Sequence, residues 1–299
     1  MTLEHVVLCS GGLRIAQRGA QPPLHGPALT VGRIAPVRLP DAAPVEARRA
    51  DNVVWRRHWL DDERLAIEFV GLAAVEVDEA SGSVTFDRHL PREMEQHLLL
   101  DHVLPLVLAR RGRLVVHGGV VSRHGRGAVL IGASGAGKST LTAFAWQQGW
   151  TVGGDDGAVL YDTDPPVVEP TYATVRLTPA SVELLGIVPE SSSAVVGKRR
   201  ITGNGDRAFR QQRVELGLIA IIEPAAPGQP ARFQRLDGGE AHARLFGSTF
   251  HAELSGTGLL PGVIARLASI VEASTVGSLT VPHGIEGLAA AERLLRANL

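Results

Sequence analysis

The most specific chemistry in the chain lies in eight consecutive residues, Gly132-Ala133-Ser134-Gly135-Ala136-Gly137-Lys138-Ser139. The spacing Gly-x-x-x-x-Gly-Lys-Ser suits the cradling of a phosphate chain. Glycines let successive backbone N–H groups curl around an anion, and a following helix adds its positive dipole end. Lys138 can neutralise β- and γ-phosphate charge, and the Ser139 hydroxyl can ligate Mg²⁺. The competing reading is a glycine-rich turn that carries Lys-Ser by coincidence. The flanks argue against it: Val129-Leu130-Ile131 reads as a strand, and Thr140-Leu141-Thr142-Ala143 opens a helix. Gly132, Ser134, Gly135, Ala136, Gly137, Lys138, Ser139 and Thr140 are therefore the candidate phosphate-loop residues, with Lys138 expected to be open to the ligand.

A phosphate loop names a nucleotide but not a reaction. Asp155-Asp156 follows the loop helix and the strand after it. In a parallel sheet that order places both carboxylates at a strand's carboxyl end, where ligands bind, and a short right-handed crossover makes their strand the neighbour of the loop strand. One carboxylate could hold a metal while the other accepts a proton from an incoming hydroxyl. A two-Asp turn or helix cap is the plain alternative.

The elements that must position these groups form an α/β pattern. Strands are expected at Leu114–Val116, Val120–Ser122, Ala128–Ile131, Thr151–Val152, Val159–Tyr161, Thr174–Leu177 and Leu218–Ile222. Helices are expected from Lys138 to about Gln148 and near Pro179–Leu185, Pro261–Ala273 and Ile285–Ala297. This gives a domain over 112–299, reached through an amphipathic helix at 93–111 that Pro105 should kink. Residues 1–92 read as a small β-rich module: prolines from Pro22 to Pro44 exclude long helices, and Leu65–Val70, Val75–Val77 and Val84–Phe86 look like strands around a turn at Glu79–Gly82. The acidic run Asp61-Asp62-Glu63 reads as a solvated turn.

His117-Gly118, the Gly132–Ser139 loop and Gly154-Asp155-Asp156, in that order, resemble the HPr kinase/phosphorylase superfamily. The resemblance covers roughly 98–223. It implies a nucleotide core like that of phosphoenolpyruvate carboxykinase, ATP and Mg²⁺ as cofactors, and phosphorylation of a serine hydroxyl on a peptide or protein. It implies catalytic roles for Asp155, Asp156 and His117. It places Asp155 as the base for the hydroxyl, with Asp156 beside Ser139 at the metal, and His117 along the phosphate site. Arg176 and Lys198-Arg199-Arg200 resemble basic positions of the diverged branch. The chain lacks the long signature segment of true HPr kinases after the Asp pair, and its first module does not resemble theirs. It is more similar to the HPr-kinase-like proteins encoded with peptide-modification systems, some of which phosphorylate a serine of a lasso-peptide precursor. A homo-oligomer is compatible with the resemblance.

Composition sets the remaining bounds. Lys plus Arg number 30 against 31 Asp plus Glu, so no basic excess calls for nucleic acid. The longest apolar stretch, near Leu98–Ala109, is interrupted by Asp101 and His102 and is not a membrane span. Glu4 and His5 stand where a secretory leader would carry Lys or Arg. Cys9 is the single cysteine, which excludes an intrachain disulfide and a Cys-based zinc cluster, so the cytoplasm is the simplest location.

Weaker candidates have plain readings. Ser191–Gly205 is expected to be a mobile loop carrying phosphate-facing cations. Glu223, before Pro224, reads as a strand end rather than a metal ligand. Trp146 and Trp150 read as packing residues, and His242 and His251 lack metal-ligand spacing. Arg207 and Arg210 flank Phe209 with nothing to fix their direction. A small-metabolite kinase and a non-catalytic nucleotide-binding regulator share the phosphate-loop residues and stand as alternatives to a peptide kinase.

Overall fold

The computed structural model describes residues 5–9, 12–16, 30–44, 46–50, 53–60, 64–188, 196–203, 209–250 and 260–299. The architecture is mixed α/β, and the described residues divide into two units at Arg111/Gly112. No helix among the described residues is long and apolar enough to cross a membrane.

In the first unit β1 (His5–Cys9) pairs with β2 (Gly12–Ala16). A six-stranded sheet contains β3 (Thr30–Ile34), β4 (Glu46–Ala50), β5 (Val53–Leu60), β6 (Arg64–Phe69), β7 (Ala73–Asp78) and β8 (Ser83–Phe86), ordered β3-β8-β7-β6-β5-β4. The alternating pattern builds it: Leu65, Ile67, Phe69, Val75, Val77, Val84 and Phe86 are buried, while Glu68, Glu76 and Thr85 are only half-buried. The acidic run 61–63 and the prolines at 22, 23 and 27 lie outside the described residues. Helix α1 (Arg92–His97) and helix α2 (Leu104–Arg110) are joined by a π-helical stretch, Leu98–Val103. There the Leu104 N–H bonds the Leu99 carbonyl five residues back. Pro105 has no N–H, and its ring would press on the carbonyl four residues earlier. The widened turn accommodates it, so the expected kink takes the form of a π segment.

The second unit is organised by a nine-stranded sheet. Its strands are β9 (Leu114–Val116), β10 (Gly118–Arg123), β11 (Arg126–Ile131), β12 (Thr151–Gly154), β13 (Ala158–Tyr161), β14 (Val167–Pro170), β17 (Val214–Pro224), β18 (Arg232–Arg235) and β19 (Thr275–Val281). A separate two-stranded ribbon is made by β15 (Val175–Leu177) and β16 (Arg199–Ile201). The main order is β12-β10-β11-β17-β14-β13-β9, with β19 on β17 and β18 on β19. Within this sheet only β11–β17 and β17–β19 are parallel, so the expected parallel sheet is instead a mixed one. The β12 strand is also one place removed from β11, because β10 lies between them. The cause is the tight turn at His124-Gly125. Both residues have positive φ, 52° and 81°, which folds β10 back against β11 as a hairpin.

Helices cover both faces of this sheet. Alternate residues of each central strand face opposite ways. Ala128, Leu130, Leu218, Ala220 and Ile222 pack with helix α3 (Lys138–Gln147) and helix α7 (Gly284–Asn298). Val129, Ile131, Ile219 and Ile221 pack with α5 (Gly238–Phe246) and α6 (Leu260–Ala273). A short helix, α4 (Pro179–Leu185), follows the ribbon strand β15. Between α3 and β12, the buried Trp150 indole N–H donates to Glu292 Oε1 of α7 at 2.7 Å. Arg296 also donates to that oxygen, its Nε at 3.1 Å. Glu292→Ala would leave the indole N–H buried without this acceptor. It should cost about 1–3 kcal/mol of stability, read from the urea midpoint, and an unchanged midpoint would contradict this role.

Candidate functional site

Register brings distant parts of the chain to one end of the sheet. Gly118 at the start of β10 faces Ile131 at the end of β11, and Val120 faces Gly154 at the end of β12. His117, Gly132 and the Asp155-Asp156 pair therefore leave the sheet side by side. Gly132 has φ +143°, and a Cβ there would stand 2.6 Å from the Ile222 carbonyl oxygen, so the chain exits β11 hard against β17. The loop then enters α3 through Gly137, its N-cap, in the left-handed region at φ 95°.

A cavity of about 260 Å³ opens at this end. It is lined by Ser134, Gly135, Gly137, Lys138, Ser139 and Thr140 of the loop and the start of α3, by His117 and Asp156, and by Arg176, Thr178, Ser181 and Lys198. Gly132 and Ala136, both expected in the site, do not line it; Ala136 packs into the core on the α3 face. Lys138 departs from the open position expected for it. It is only 7% exposed, and its ammonium donates to the carbonyls of Gly132 at 2.7 Å and Ala133 at 3.0 Å. Burial lowers its pKa below the ordinary 10.5; Asp156 opposes that shift, Lys198 adds to it and Asp155 opposes it.

The two aspartates part company. Asp155 is 1% exposed and does not line the cavity; its Oδ2 accepts the Arg176 backbone N–H at 2.9 Å. Asp156 does line it, with Oδ1 3.9 Å from Nε2 of His117. Adjacent residues at a strand end point in different directions, so the two cannot fill one role. Of the pair, Asp156 is the carboxylate that faces the cavity, and Asp155 is turned toward the backbone of Arg176.

Of the basic triplet, only Lys198 lines the cavity. Arg199 and Arg200 belong to β16 and pair with Leu177 and Arg176 of β15. The Arg200 guanidinium donates to Thr174 Oγ1 at 2.5 Å and lies 5.6 Å from the centre of the Tyr172 ring. Residues 191–195 and 204–205 of the expected loop lie outside the described residues. So do Arg207 and His251.

The other candidates have local partners. Glu223 pairs with Arg244 at 2.8 Å, His242 meets the Ile264 carbonyl at 3.0 Å, and Trp146 packs edge-on to Phe209. Arg210 donates its backbone N–H to the Val152 carbonyl at 2.8 Å. Two cavity residues, Thr178 and Ser181, are not among the candidates that the sequence motifs supply. A signal for them exists. The pattern Thr178-Pro179-Ala180-Ser181 marks a helix start two residues after Arg176, and Thr178 Oγ1 does cap α4 by accepting the Ser181 N–H at 3.2 Å.

A second cavity, of about 220 Å³, is lined by Tyr161, Val167, Arg213 and Glu215 among others. Glu215 faces Arg126 at the start of β11, so this cavity lies at the opposite end of the sheet from the loop. Tyr161 donates to Glu169 at 2.9 Å, and burial beside that carboxylate pushes its pKa up to about 12, so it stays a neutral hydroxyl.

No family model matches the chain, and no curated protein does. A solved structure is similar to it: the HPr(Ser) kinase/phosphatase from Coxiella burnetii. The identity is 12% and the TM-score 0.33, with 61% of this chain and 88% of that chain covered.

Proposed function

We propose that this chain is an ATP- and Mg²⁺-dependent kinase that transfers the γ-phosphate to a hydroxyl, serine by preference, of a peptide or protein. The observation that carries the reading is convergence. A Gly-x-x-x-x-Gly-Lys-Ser loop, one carboxylate, one histidine and two further cations meet in one cavity at the carboxyl end of β11. Lys138, Arg176 and Lys198 supply positive charge against Asp156, the carboxylate of that cavity, which suits a polyphosphate.

The residues present also fit Mg²⁺. Among the described residues no group of three or more His, Cys, Asp or Glu could hold a metal by itself. Mg²⁺ is characteristically held by one or two carboxylates together with substrate phosphate and water. Ser139 and Asp156, on the same cavity, would hold it. When bound, Mg²⁺ neutralises and orients the phosphate oxygens. The chain does the rest. The loop and Lys138 fix the polyphosphate, Asp156 accepts the proton of the incoming hydroxyl, and His117 stands beside Asp156 to orient it or the acceptor.

Incubation with γ-labelled ATP and a panel of serine peptides, with products mapped by mass spectrometry, tests this function. The expected product is an acid-stable ester, because Asp156 suits a neutral hydroxyl. A phosphoramidate or acyl phosphate would contradict it, and label on a small metabolite would replace the acceptor class.

Lys138 gives the site a pH signature. Its pKa lies below 10.5 in the free protein, and a bound polyphosphate favours the charged form and raises it. Binding should therefore take up protons at alkaline pH, and Mg-ATP affinity should fall as pH rises through the lowered value. Calorimetry in buffers of different ionisation enthalpy reads the uptake directly, and Lys138→Met should remove it. Equal uptake in that variant would assign the proton elsewhere.

A further inference from the structure

The cation wall of the cavity rests on a weak element. The β15–β16 ribbon has two strands and three residue pairs, Val175 with Ile201, Arg176 with Arg200 and Leu177 with Arg199. A two-stranded ribbon is at best marginal by itself. Val175, Leu177 and Ile201 anchor it in the core, but apolar contact is non-directional and does not fix the ribbon's backbone to the last fraction of an ångström. Arg176, and Lys198 directly before β16, both line the cavity.

Directional contacts hold the ribbon and the helix after it. Thr140 Oγ1 of α3 meets Ser181 Oγ of α4 at 2.8 Å, referring that helix to the phosphate loop. Asp155 Oδ2 accepts the Arg176 N–H, referring the ribbon to the end of β12. The backbone around Asp155 has little play. A Cβ on Gly154 would lie 2.3 Å from the Tyr172 carbonyl oxygen, and one on Gly119 would lie 3.4 Å from the Asp155 Cα. The carboxylate is thus a fixed acceptor, aimed at the backbone of a cavity-lining arginine.

We propose that Asp155 is a positioning residue that clamps the β15–β16 ribbon through the Arg176 N–H, so that Arg176 and Lys198 face the polyphosphate. The proposal rests on the reading of the cavity as a nucleotide site. The adjacent aspartates then have separate roles. Asp156 meets the reactants, and Asp155 acts through Arg176.

Calorimetric titration with Mg-ATP tests both levels, with folding of each variant checked by circular dichroism. Arg176→Ala should weaken binding about ten- to a hundredfold, the range of a charge-assisted contact. Asp155→Ala should weaken it similarly, and Asp155→Ala in the Arg176→Ala, Lys198→Ala background should add little. Asp155→Asn retains an acceptor for the N–H and should lose no more than about tenfold. A base at Asp155 would leave Mg-ATP binding intact in both variants, and a general loss of structure would weaken binding in every background. Either result would overturn the clamp, as would an Asn variant as weak as Arg176→Ala if the Ala variant does not fold. Failure of the wild-type chain to bind Mg-ATP would instead remove the nucleotide site itself.

Discussion

Asp156→Asn is expected to lower phosphoryl transfer by ~10²–10⁴-fold, the usual contribution of a general base. Asp156 is the carboxylate that lines the cavity with Ser139, and its Oδ1 lies 3.9 Å from His117. Asparagine keeps the shape but accepts no proton at neutral pH. It also removes a negative charge from the place where Ser139 and Asp156 would hold Mg²⁺. The Mg²⁺ concentration giving half-maximal rate should therefore rise along with the fall in turnover. The two effects separate in a Mg²⁺ titration: saturating metal should restore Mg-ATP binding but not the rate. Wild-type turnover in this variant would reduce the aspartate to a structural turn and remove the main support for catalysis beyond the loop.

The second large effect is expected at Lys138. Lys138→Ala removes an ammonium whose hydrogen bonds to charged phosphate oxygens are worth about 1.5–3 kcal/mol each, so Mg-ATP affinity should fall by about ten- to a hundredfold or more. The fold should survive. The carbonyls of Gly132 and Ala133 lose a donor, but Gly132 is half-buried and Ala133 exposed, so water can replace it. Calorimetry for binding and thermal melting for stability make the comparison. Unchanged ATP affinity in a folded variant would contradict the assignment of the loop.

The legible parts of this structure follow from local rules. The Gly132–Ser139 spacing, with its strand before and helix after, needs only strand and helix periodicity and a known phosphate geometry. Helices α3, α4, α6 and α7 begin and end close to where apolar spacing and capping place them. Long-range pairing is what local rules do not contain. His124 and Gly125 are residue types that adopt positive φ and so mark the turn between β10 and β11, but nothing local says that β10 then also pairs with β12 and separates it from β11. The β14 strand is bracketed by Pro166 and Pro170, which argue against a strand in sequence. β19 is absent from the expected strands because it sits between two helical segments, although Thr275, Val276, Thr280 and Val281 are β-branched. Helix α5 is absent from the expected helices, although Asp237 and Glu240 have capping-box spacing and Asp237 Oδ1 accepts the Glu240 N–H at 2.9 Å.

In the site, residue types were legible and directions were not. Asp155 and Asp156 are identical in chemistry, and only the backbone path at the end of β12 turns one inward and the other to the cavity. The same holds for Lys198, Arg199 and Arg200, of which strand pairing leaves one on the cavity.

The most direct measurement of the central claim is amide hydrogen exchange, read by mass spectrometry, with and without Mg-ATP. Protection should appear in the Gly132–Ser139 loop and the first turn of α3, at Asp156, and along the ribbon around Arg176 and Lys198. Protection confined to the cavity beside Tyr161 and Arg213, or none at saturating Mg-ATP, would contradict a nucleotide site at the carboxyl end of β11.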